Sequence, residues 1–170
     1  CYELTSVTVP ASVHSLGDYC FSECDNLKSV TIVSGATTIG KKAFYYGYNP
    51  CSFVTITAPA GSKAQEYADA EGIKFVVLKK NQNLSTSASA SSVAVDKTVT
   101  IKVSGAKGKV TYKSSNTSVA VVDTKGVVTG KGVGTVKITV TSAETSEYYK
   151  AAKTITLKVV KGSQAITAKD

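Results

Sequence analysis

The stretch LTSVTVPASVHSLGDYCFSECDN, Leu4–Asn26, runs directly into LKSVTIVSGATTIGKKAFYYGYN, Leu27–Asn49. Laid one above the other, they agree in type at Leu4/Leu27, Val7/Val30, Val9/Ile32, Leu16/Ile39, Gly17/Gly40 and Phe21/Phe44, a repeat of 23 residues. A third, shorter copy, CSFVTI (Cys51–Ile56), is displaced by 24, which sets Cys51 under Leu27 and Thr55 under Thr31. CYEL at the start of the chain likewise stands 23 residues before CDNL, Cys24–Leu27. Units of this length cannot bury an apolar face alone and do so by stacking on one another. Alternation along each strand then points Val7 and Val9 inward and Ser6 and Thr8 outward.

Each copy has an L-x-x-V-x-V strand, a Pro or Gly turn, and an I/L-G-x-x-A/C-F segment that returns the chain. This pattern resembles the BspA-type leucine-rich repeats of bacterial surfaces, over roughly residues 1–77, and the resemblance implies a solenoid. After the third strand, PAGSKAQEYADAEGIKFVVL predicts a helix and a strand. Ser62 with Gln65 makes a capping box, Ala64, Tyr67 and Ala68 share a helical face, and Gly72 is placed for the C-cap. Such a segment would close the last open face of a solenoid spanning 1–78, while the first copy leaves an apolar face open at the other end.

From Lys79 the composition turns small and polar, then into short β-rich runs separated by Gly, Asn and Asp. Strands are expected near SVAVDKTVTIKVSG, KVTYKSS, SVAVVD, GVVTG, GTVKITVTS and AKTITLKVVK, the spacing of a sandwich. No cysteine follows Cys51, which excludes the inter-sheet disulfide of antibody domains. The segment Ser114–Val122, the turn Gly126–Thr129 and the run Gly134–Val140 resemble the bacterial immunoglobulin-like group 2 family, related to invasin and intimin. Tyr112 stands where that family usually carries Trp and brings a hydroxyl that needs a partner or solvent. The expected fold is therefore mainly β: a leucine-rich repeat solenoid with a helical C-terminal cap, followed by an immunoglobulin-like sandwich over 79–161. The tail, 162–170, echoes Lys80–Ser89 through Gln164 and Gln82, 82 residues apart, and is expected to open a further sandwich. The chain has no Met, so it reads as an internal piece of a longer protein.

Up to Leu78 there are five Lys and seven acids; beyond it, fifteen Lys and five acids. Every basic residue is Lys, whereas nucleic-acid readers lean on Arg for base edges and on aromatics for stacking. The lysines therefore read as a solvated β-surface, and no nucleic-acid partner is expected. No run reaches the roughly 18 apolar residues of a membrane span, so none is expected to insert.

An enzyme needs a convergent set of titratable groups. The single histidine, His14, falls in a turn opposite Thr37. TGKGVGT (Thr129–Thr135) lacks the order of a phosphate loop, and no nucleophile, zinc-protease or calcium-loop signature is present. Zinc would need about four close ligands, and only Cys20, Cys24, Cys51 and His14 are available. The repeat instead puts the thiols at or near interior positions: Cys20 aligns with Ala43, and Cys24 with Cys1. Packing of free thiols is the leading reading, with a Cys1–Cys24 disulfide and metal or redox work as alternatives. No cofactor and no catalytic residue are expected.

What remains is binding. Ser6, Thr8, Ser29, Thr31, Phe53 and Thr55 are expected on the outward strand face, with Thr8, Thr31 and Thr55 as a ladder. Tyr45, Tyr46 and Tyr48 should add an aromatic contact surface beside Phe53. The two resemblances together imply a non-catalytic, monomeric adhesion module on a bacterial surface or secreted. The solenoid would meet an extracellular protein or glycan and the sandwich would act as a stalk. The alternative is a pair of accessory modules in a large secreted enzyme.

Overall fold

The computed structural model describes residues 1–162. The residues after Gly162, expected to open a further sandwich, lie outside the described residues. The chain divides into two compact units, Cys1–Lys80 and a second starting at Asn81.

The first unit holds β1 (Ser6–Val9), β2 (Ser15–Leu16), β3 (Ser29–Ile32), β4 (Thr38–Ile39), β5 (Tyr45–Tyr46), β6 (Asn49–Pro50), β7 (Thr55–Ala58), α1 (Lys63–Glu71) and β8 (Lys74–Val77). β1, β3, β7 and β8 form a sheet in that order, with every neighbouring pair parallel. The 23-residue repeat is visible in the backbone itself. Ser6 pairs with Ser29 in the sheet, and Ser15 with Thr38 in the small β2–β4 ladder. Tyr19 and Lys42, also 23 apart, both adopt the left-handed region at φ 56° and 51°. That conformation is costly for a residue with a Cβ. Bonds between the repeats hold it: the Tyr19 N–H donates to the Lys41 carbonyl (3.0 Å) and the Phe21 N–H to the Ala43 carbonyl (2.9 Å). The paired glycines differ. A Cβ on Gly40 would lie 2.5 Å from the Asp18 nitrogen, whereas one on Gly17 would meet nothing.

The third copy departs from the expected register. Thr31 pairs with Thr57 and Ser29 with Thr55, a shift of 26 rather than 24. The extra residues are taken up by the antiparallel β5–β6 hairpin, which turns through Gly47 at φ 59°. In the turn ahead of β7 the offset is 27, one more than in the strand, and Cys51 is the counterpart of Cys24, not of Leu27: the Leu27 N–H donates to the Cys24 carbonyl (3.0 Å) and the Val54 N–H to that of Cys51 (3.2 Å).

Leu27, Val30, Ile32, Phe44, Val54 and Ile56 are buried in one core. Their first-repeat counterparts Leu4, Val7 and Phe21 are only partly buried, because β1 has a neighbour on one side alone. Phe21 stacks on Phe44 (5.4 Å between centroids), and Phe44 meets the edge of Tyr67 from α1 (6.0 Å). The capping residues of α1 are those read from the sequence. Ser62 accepts from the Gln65 N–H, the Gln65 side chain accepts from the Gly61 N–H (2.8 Å), and Gly72 takes φ 67° at the C-cap.

The second unit comprises β9 (Ser85–Ala88), β10 (Ser92–Ala94), β11 (Thr98–Ser104), β12 (Val110–Ser114), β13 (Ala120–Val122), β14 (Val127–Gly130), β15 (Gly134–Ser142) and β16 (Ala151–Val160). They form two four-stranded sheets, β10-β16-β15-β12 and β13-β14-β11-β9, around a core of Val, Ile, Leu and Ala. β9 was not among the expected strands; its serines and threonine gave no hydrophobic run. The long SVAVDKTVTIKVSG run is broken into β10 and β11 at Asp96, which sits at φ 63°.

Gln82 secures the start of this unit. Its Nε2 donates to the Ala143 (3.0 Å) and Tyr149 (2.7 Å) carbonyls, and its Oε1 accepts from the Lys107 N–H (2.7 Å) and the Ser142 hydroxyl (2.6 Å). All four hydrogen-bonding places of the amide are filled, which is what a buried amide requires. Half-buried Tyr112 packs over Gly126, whose φ of 81° and lack of a Cβ admit the ring; a Cβ there would stand 2.9 Å from the phenol oxygen. The same tyrosine borders an open depression of about 370 Å³ between β12 and the end of β13.

Candidate interaction surface

Strand alternation sends Val30, Ile32, Ile56 and Ala58 into the core and their neighbours out of the sheet. The register lays the outward residues in two rows. One is Ser6, Ser29, Thr55 and Lys74; the other is Thr8, Thr31, Thr57 and Val76. Neighbouring side chains in a row stand about 4.8 Å apart, the spacing of paired strands. Six of the eight carry hydroxyls, one an ammonium and none a carboxylate. Across β1, β3 and β7 such a face can donate and accept hydrogen bonds, and it offers no carboxylate base.

Ser6, Thr8, Ser29, Thr31 and Thr55 thus share one face, with Thr55 in the serine row rather than in the ladder with Thr31. Thr57 takes its place beside Thr31. Sequence reading missed it because the 24-residue alignment of CSFVTI ignored the hairpin; the unbroken alternation of TITA, Thr55–Ala58, was the available signal. Phe53 does not stand on the strand face. It lies in the turn ahead of β7 and is 43% exposed. There the chain is still turning from Cys51, so the alternation that would have aimed it outward has not begun.

Tyr45, Tyr46 and Tyr48 come together on the β5–β6 hairpin. Tyr48 is 92% exposed, and Tyr46 is half exposed. Tyr45 is committed elsewhere: its hydroxyl donates to Glu71 of α1 (2.5 Å) and the Lys42 ammonium lies 5.4 Å above its ring. The bond to Glu71, with lesser help from desolvation, pushes the Tyr45 phenol up to about 12.

All four cysteines are free. Cys24 and Cys51 are buried, as packing requires, but Cys1 and Cys20 are exposed, which corrects the expectation that Cys20 is a core residue. Its counterpart Ala43 is wholly buried in the second repeat, where structure lies on both sides; Cys20 belongs to the half-covered first repeat. Even so, partial desolvation pushes the Cys20 thiol up, and burial does the same to Cys51, reinforced by the charges of Glu23, Cys24 and Asp25. A reactive thiol needs the opposite shift. Among the described residues no group of three or more His, Cys, Asp or Glu is placed to hold a metal, and no helix is long and apolar enough to cross a membrane. His14 is an exposed turn residue whose carbonyl accepts from the Thr38 N–H (3.0 Å).

Residues 94–144 match the family described as "Intimin, immunoglobulin-like domain". Two solved structures are similar to this chain: an intimin mutant from EHEC O157:H7, and intimin in an intimin–Tir90 complex. The first is 26% identical over 45% of this chain and 46% of that one, with a TM-score of 0.36. The second is 27% identical over 44% and 45%, also at 0.36. This chain therefore spans less than half the length of the intimin chains it matches. No curated protein matches it. Residues 1–101 match the model described as "BspA type Leucine rich repeat region (6 copies)", more than half of the chain. With its repeat read in both sequence and backbone, the chain belongs to the BspA-type leucine-rich repeat family, followed by an intimin-type immunoglobulin-like domain.

Proposed function

We propose that this is a non-catalytic, monomeric adhesion module of a bacterial surface or secreted protein. In this reading residues 1–78 form a leucine-rich repeat solenoid closed by α1 and β8. Residues 79–161 form an immunoglobulin-like sandwich that serves as a stalk. The partner is an extracellular protein or glycan met by the hydroxyl rows of β1, β3 and β7. The single observation that carries this is the uninterrupted outward face of Ser6, Thr8, Ser29, Thr31, Thr55 and Thr57, placed in register by three parallel strands. Concave or flat faces on repeat scaffolds vary freely without disturbing the core beneath. Tyr46 and Tyr48, exposed on the β5–β6 hairpin, offer an aromatic contact of their own.

An array of matrix proteins and glycans probed with the purified fragment tests the proposal. A hit that is lost in Thr8→Lys/Thr31→Lys/Thr57→Lys, at an unchanged melting temperature, supports it. No hit, or a hit indifferent to those three substitutions, sinks it.

A further inference from the structure

The lysines of the second unit have an arrangement that composition alone does not reveal. In β15 the side chains of Val136, Ile138 and Val140 are buried, so Thr135, Lys137 and Thr139 point away from the core. Antiparallel pairing carries that outward direction across the sheet. Lys158 on β16 opposes Thr135, Lys137 on β15 opposes Thr156, and Lys113 on β12 opposes Thr139. From Lys158 to Lys137 to Lys113, each step moves one strand across and two residues along. Strand spacing and rise make each step about 8 Å at the backbone. The result is a straight diagonal of three exposed ammonium groups with a threonine directly across from each.

Among the described residues of the second unit no carboxylate stands on these strands to neutralise the row. The acids of the described second unit, Asp96, Asp123, Glu144 and Glu147, all lie in turns outside the strands. We infer that this face is a second binding site, for a linear carboxylated polysaccharide laid along the lysine diagonal. It is separate from the hydroxyl face proposed above and does not depend on that reading. The charge complement is a chain bearing carboxylates at regular intervals, and the threonine hydroxyls beside each lysine suit the ring hydroxyls of a sugar. A nucleic acid fits less well. The six residues of the diagonal include no aromatic side chain for a base to stack on, and the chain contains no Arg to read base edges.

The test is binding of the fragment to polygalacturonate, with neutral dextran and a single-stranded DNA oligomer as comparisons. Expected are salt-sensitive binding to polygalacturonate and none to dextran. Lys113→Gln/Lys137→Gln/Lys158→Gln should weaken binding by about tenfold or more, the worth of three exposed ion pairs. The charge-matched control Lys97→Gln/Lys125→Gln/Lys131→Gln, in turns, should stay within about twofold because scattered exposed charges are screened. All six lysines are exposed, so both triple variants should fold. Equal weakening by both triples would reduce the effect to net charge and overturn the inference. So would the absence of polygalacturonate binding, or tighter binding of DNA through the same three lysines.

Discussion

At the scale of single residues, the two repeat glycines separate sequence identity from structural need. Gly17 and Gly40 occupy equivalent places, yet only Gly40 lies against another backbone. Gly40→Ala should therefore cost about 1–3 kcal/mol, as forced overpacking does, while Gly17→Ala stays within about 0.5 kcal/mol; denaturant melts of both variants check this. The cysteines give a second prediction. A thiol reagent should modify Cys1 and Cys20 in the native protein and reach Cys24 and Cys51 only on unfolding, with four thiols in all and none bridged. Two thiols in the denatured, unreduced protein would contradict the structure. Tyr45 gives a third. Its phenol titrates at the ordinary 10 in the unfolded chain and near 12 when bound to Glu71. The raised value means that the pair's contribution to stability is full below pH 10 and fades as pH climbs from 10 to 12. In an ultraviolet titration Tyr45 should ionise late among the nine tyrosines, alongside Tyr67, which burial also pushes up, and Tyr45→Phe should remove one tyrosine's worth of that late component while leaving the rest.

At the scale of elements, burial rather than residue type decides what a repeat position is worth. Phe21 and Phe44 are the same residue at the same place in adjacent repeats and stack face to face. Phe44 is wholly buried and also meets Tyr67, whereas Phe21 keeps solvent on one side. Phe44→Ala should cost about 3–5 kcal/mol, and Phe21→Ala roughly half of that, since the lost burial scales with area. Equal losses by chemical denaturation would show that the first repeat is better covered than its burial indicates. The element boundaries of α1 were legible because Ser62, Gln65 and Gly72 act locally through their own backbone. The register of β7 was not, because the β5–β6 hairpin adds residues whose effect on pairing appears only when the chain closes back on β3.

At the scale of the whole molecule, each unit has its own buried core, one centred on Phe44 and Ile56 and the other on Ile138 and Leu157. Ile56→Ala should lower one calorimetric transition and Ile138→Ala another, each by about 2–5 kcal/mol in its own unit. The periodic residues were enough, by themselves, to establish the repeat, the inward positions of Val7 and Val9 with their counterparts Val30 and Ile32, the helix caps and the mainly β character of the rest. These are consequences of alternation, turn chemistry and capping, all of which act over a few residues. Only the tertiary structure decided which thiols are buried, where Phe53 stands, that Thr57 rather than Thr55 continues the threonine row, and that three distant lysines fall on one diagonal. Each of those depends on pairing between residues 19 or more positions apart, where one inserted residue reverses the face on which a side chain emerges.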